Sequence, residues 1–120
     1  MINSPIRLGV VICSILALSG TAYAADSLGV GNASCAVFAK EYQKRPTMTE
    51  AIYHSWLHGF LTGINISFGA SNFQTFDLGK KSQDERNAFM RDYCAKNPLA
   101  TYLSGAMSFI ETLPRRPKGE

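Results

Sequence analysis

His54 and His58, one helical turn apart with Glu50 one turn before them, are the residues of this 120-residue chain whose types and spacing could do chemistry. Imidazoles at i and i+4 of a helix can share a divalent metal, titrate together near neutral pH, or stand side by side as a solvated or partly packed pair. The metal reading is the poorest of the three. A metalloprotease helix runs His-Glu-x-x-His, whereas Ser55, Trp56 and Leu57 separate this pair. A pH-responsive pair and a passive pair both stay open. The sequence carries no Gly-x-Ser-x-Gly elbow, phosphate loop or dinucleotide fingerprint, and no paired carboxylates mark a cleft. Accordingly no catalytic residue, metal or cofactor is assigned, and an enzyme is the least expected class.

The second candidate is redox chemistry. Cys13 lies in an apolar run, Leu8 to Leu18, that follows a short lead containing Arg7 and precedes Ala22-Tyr23-Ala24. That order reads as a secretory signal peptide, residues 1–24, cleaved after Ala24, and the run is short for a membrane span. Cys35 and Cys94 then remain in an exported chain with no Cys-x-x-Cys or Cys-x-x-His spacing, so an oxidised pair is the expected reading. Cleavage leaves 96 residues, one small domain, with 11 Lys and Arg (12 less Arg7) against 9 Asp and Glu. A net charge of +2 on those counts is not the footprint of a nucleic-acid binder. No stable membrane insertion is expected once the signal is removed.

The elements that must position these residues centre on Met48 to Phe68. Every fourth residue gives Ala51, Ser55, Gly59, Gly63 and Ser67, a row without a large side chain. The adjacent row, Ile52, Trp56, Phe60, Ile64 and Phe68, is bulky and apolar. Rows of this kind are the surfaces by which helices pack. The small row is therefore expected to be a groove for a neighbouring helix, and the large row a ridge that fills the core or binds a client protein. Thr47-Met48-Thr49-Glu50 has the pattern of a capping box.

Before this helix, residues 25–33 read as a flexible lead. Ser34 then caps a helix to about Lys44, which Pro46 ends. After it, residues 69–81 read as a long loop held by Phe73, Phe76 and Leu78. Ser82-Gln83-Asp84-Glu85 caps a third helix with Phe89, Met90, Tyr93 and Cys94 on one side. Asn97-Pro98 stops it and starts a last helix from Leu99 to Leu113. Residues 34–113 thus form an all-α, disulfide-linked bundle of about four helices, followed by a basic tail, 114–120, read as disordered.

The signal peptide, Ser34-Cys35-Ala36-Val37-Phe38, the Trp56 helix and Tyr93-Cys94-Ala95-Lys96-Asn97-Pro98 together resemble the HdeA/HdeB family of periplasmic acid-stress chaperones. The resemblance implies a small bundle with one disulfide joining Cys35 to Cys94, dimeric at neutral pH, that loosens in acid and holds unfolded client proteins on exposed apolar surface. The run Trp56-Leu57-His58-Gly59-Phe60-Leu61-Thr62-Gly63 is also similar to the Tai-type periplasmic immunity proteins, which bind and block secreted amidase effectors. An exported structural or host-directed protein is the third class. A periplasmic or secreted location, and partners that are unfolded clients or one effector, follow as expectations.

Overall fold

The computed structural model describes residues 27–117. The expected signal segment and its cleavage site lie outside the described residues. The described chain is all-α: α1 (Cys35–Lys44), α2 (Pro46–Ala70), α3 (Gln83–Lys96) and α4 (Tyr102–Glu111), with short 3-10 turns at Gly29–Asn32 and Leu78–Lys80.

Ser34 caps α1 by accepting the Val37 N–H. A proline disfavours helical geometry in the residue before it and suits the first position of a new helix, so α1 ends and α2 begins within one residue. Arg45, at φ −146 and ψ 69 and so outside the helical region, is that residue, and Pro46 opens α2. The expected capping box at Thr47 is not used, because α2 has already begun; Thr49 faces inward, 5% exposed. At its far end α2 closes through Asn72, at φ 57, a left-handed conformation that asparagine tolerates. The third helix starts with the complete Ser82–Glu85 capping box.

The last helix starts later than its sequence suggests. Leu99 is exposed, and the Asn97–Ala100 segment instead serves the start of α1, where Cys35 N–H donates to Ala100 O and Ala36 N–H to Pro98 O. Those donors have no partner within their own helix, which is why the chain stays non-helical here until Thr101 caps α4. Next to this join, Cys35 and Cys94 form a disulfide with Cα atoms 4.6 Å apart, tying α1 to α3.

The core gathers Phe38, Tyr53 and Tyr102, with ring centroids 4.8 to 5.2 Å apart, and continues through Leu57, Leu61, Met90, Phe109 and Ile110. The α2 row that enters it is Thr49, Tyr53, Leu57 and Leu61, which corrects the expected packing of the central helix. Ala51, Ser55, Gly59, Gly63 and Ser67 all face outward, and nothing lies within 4 Å of a Cβ added at Gly59 or Gly63. The bulky row flanks the core: Ile52 is exposed, while Trp56, Phe60, Ile64 and Phe68 are half-buried.

Two segments expected to be loose are packed. Gly31 lies under Trp56, whose indole N–H donates to Leu28 O at 2.9 Å. Near the other terminus, Asp77 N–H donates to Pro114 O and Arg116 N–H to Thr75 O, each at 2.8 Å, while Arg115 stacks on Phe76 at 3.7 Å. Asn65 clamps the same strip by bonding both the N–H and the carbonyl of Phe76.

Candidate functional site

The histidines stand where α2 meets α3. His54 is 5% exposed, so it does not lie on a polar outer face, whereas His58 is exposed. Their ring centroids are 3.9 Å apart. The residues that complete the cluster come from α3, two turns before Cys94: Arg86 and Asn87.

Asn87 is itself buried, and its Oδ1 lies 2.7 Å from His54 Nδ1. The oxygen accepts, so Nδ1 carries a proton, and Nε2 is the ring nitrogen turned away from Asn87. That Nε2 is buried without a hydrogen-bond partner among the described residues. Arg86 fixes the state of the second ring in the same way: its Nη1 donates to His58 Nε2, which must be the acceptor. The other end of the guanidinium donates to Leu78 O at 2.9 Å and Lys81 O at 2.7 Å. These two carbonyls lock the side chain in place, and Arg86 Nε is left buried without a partner among the described residues.

Partial burial, then the neighbouring His54, then Arg86 hold the His58 pKa below its ordinary value of 6.5. The arrangement is therefore built for a neutral His58 ring. It brings three basic side chains to one point, where His54 donates to Asn87 and His58 accepts from Arg86. Glu50, which the sequence places one turn before the pair, turns to Arg91 instead. Among the described residues no group of three His, Cys, Asp or Glu side chains comes together as a metal site.

A second feature lies on the opposite flank of α2. Trp56 stacks on Phe60 at 5.2 Å with an interplanar angle of 7°, and the pair lines an open cleft of about 570 Å³ with Leu28, Ser55, Gly59 and Leu103. From Ala51 to Ala70 no Asp, Glu, Lys or Arg interrupts α2, so its outward face is uncharged over most of its length. No helix among the described residues is long and apolar enough to cross a membrane.

Sequence reasoning found the histidines by their spacing and missed Arg86 and Asn87. Nothing local marks those two, since adjacent polar residues in the first turns of a helix are ordinary solvent-facing types. Comparison with protein-family models, with curated proteins and with solved structures finds no match to this chain.

Proposed function

We propose that this protein is an exported, non-catalytic protein-binding bundle that acts as an acid-stress holdase for unfolded clients, as its resemblance to the HdeA/HdeB family implies. The observation that carries the reading is the His54–His58–Arg86 contact between α2 and α3. The Arg86–His58 hydrogen bond requires a neutral His58 ring. Protonation of His58 turns the acceptor for Arg86 into a second donor and sets like charges together, which favours separation of the helices.

The Cys35–Cys94 bond ties α1 directly to α3 and not to α2, so α2 can part from α3 while that seam stays closed. Its release exposes Tyr53, Leu57 and Leu61 together with Trp56 and Phe60, an apolar surface suited to unfolded chains. Charge works in the same direction. At about pH 2 the carboxylates are mostly neutral, and the 11 Lys and Arg remaining after signal cleavage, with both histidines and the new amino terminus, bring the charge to about +14.

A second reading, a periplasmic immunity protein that blocks one effector, is favoured by the uncharged face of α2 and the Trp56–Phe60 cleft. Both are exposed in the folded state at neutral pH and need no acid to act. The test is light scattering of an aggregating client at about pH 3, at equal molar ratio against an unrelated disulfide-bonded helical protein. Protection beyond the control is the expected result. No added protection, with tight binding at neutral pH to an amidase encoded beside this gene, would replace the holdase reading with the immunity one.

A further inference from the structure

The contact between His58 and Arg86 also borders an open cleft of about 210 Å³, lined by His58, Leu61, Thr62, Leu78 and Arg86. The cleft has room for a small ion. Arg86 is anchored by the Leu78 and Lys81 carbonyls, so its position does not depend on His58. Of its five N–H donors three are used among the described residues. When His58 gains a proton, Nε2 becomes a donor facing the Arg86 donor it used to accept from. Two cationic donors then converge on one side of a cleft whose lining contains no carboxylate.

The acidic groups of the neighbouring elements are engaged elsewhere. Glu85 accepts from Ser82 N–H and pairs with Lys81, and Asp77 accepts from Gly79 N–H and lies 3.6 Å from Arg116. Lys80 and Lys81, from the turn before α3, and His54, from α2, add no negative charge. A planar guanidinium beside an imidazolium is a donor set that matches an oxyanion.

We propose that the His58–Arg86 cleft is an acid-dependent binding site for a small oxyanion of the sulfate, phosphate or free carboxylate class. An ion seated between the two cations replaces the lost histidine acceptor and holds α2 against α3 below neutral pH. The proposal is independent of the holdase reading, since it concerns the folded bundle and no client. It makes oxyanions stabilisers of the closed state, and so a brake on any acid-driven opening.

The test uses the disulfide-bonded mature chain with sodium sulfate as the probe, against sodium chloride at matched ionic strength. The His58 ring is titrated by NMR and melting is followed at pH 5 and pH 8. Sulfate is expected to raise the His58 titration midpoint by about one unit relative to chloride, equivalent to about tenfold tighter binding to the protonated form. It is also expected to raise the melting temperature at pH 5 but not at pH 8. Sodium acetate in place of sulfate tells a carboxylate from a tetrahedral oxyanion. His58→Gln, at an exposed position, keeps an acceptor for Arg86 and should abolish the sulfate-specific stabilisation at pH 5. Arg86→Lys should weaken it, with His58→Gln deciding the matter if the lysine variant does not fold. Equal effects of sulfate and chloride, or a sulfate response that survives in folded His58→Gln, would overturn the site and leave only ionic screening.

Discussion

Helix α3 is held at two places by opposite means. Near its end Cys94 is bonded to Cys35 in a dry corner with Met90 and Tyr102, all four at most 2% exposed. Two turns earlier Arg86 and Asn87 meet His54 and His58 through polar contacts, two of whose nitrogens are buried without partners among the described residues. The first corner contains no group that titrates between pH 2 and 8; the second contains His58 and the groups that face it. A bundle with both can let acid act at one seam while the other holds. On the proposed reading, stability is concentrated in the disulfide corner and acid responsiveness in the histidine corner.

The comparison is broken most directly at its strong end. Cys94→Ser removes a bridge across 59 residues of separation, which in the chain-entropy model lowers stability by roughly 4 kcal/mol, a large share of what a small domain has. Chemical denaturation of the variant beside the oxidised parent measures it. A change below about 1 kcal/mol would mean that the dry corner holds by packing alone. Intact mass of the purified protein, with and without reductant, checks that the bridge forms at all.

Two glycines sharpen the comparison at smaller scale. A Cβ at Gly31 would stand 2.0 Å from the Trp56 ring, so Gly31→Ala should overpack that contact and lower stability by about 1 to 3 kcal/mol. Gly63 has open space around it. Gly63→Ala should therefore stabilise an exposed helix interior by about 0.5 to 1 kcal/mol, because alanine loses less backbone entropy on folding. Melting temperatures that move in opposite directions for the two variants are the expected outcome. If Gly63→Ala destabilises, the outer face of α2 is covered by something in solution.

That pair of glycines also marks what could be read in the sequence. The helices, the Ser34 and Ser82 caps and the Pro46 break follow from local rules, and all are present in the fold. The facing of α2 did not follow. Apolar residues run nearly round that helix, so sorting rows by side-chain size made Gly59 and Gly63 an inner groove, while the row that does enter the core begins with Thr49 and Tyr53. Tyr53 can go inward because its hydroxyl reaches Glu41 at 3.1 Å, a partner twelve residues away that no local pattern reveals. The histidine site was half legible for the same reason: spacing within α2 exposes His54 and His58, but Asn87 and Arg86 arrive by tertiary packing. The terminal segments looked loose because glycine- and arginine-rich composition hides Gly31 under Trp56 and Arg115 over Phe76.

The smallest expected effect tests the weak end, and it is small because His58 is solvent-exposed, where screening discounts any charge interaction. Partial burial, His54 and Arg86 depress its pKa in the folded state, so the unfolded chain binds the His58 proton more readily. Stability from this group is therefore fully present above its ordinary value of 6.5 and is lost as pH falls through the depressed folded value. His58→Gln should flatten the stability profile in that window, measured by denaturant midpoints in chloride buffers between about pH 7 and pH 5. Carboxylates give a separate signal. Glu85 is held below its ordinary 4.5, first by the Ser82 backbone N–H and then by Lys81, so its contribution is present above that value and disappears only as pH falls through the lower folded one. A profile that bends near neutrality in the parent and only in the acid range in His58→Gln assigns the first step to the histidine seam. An unchanged neutral bend in the variant would take the response away from His58 and with it the contrast between the two corners.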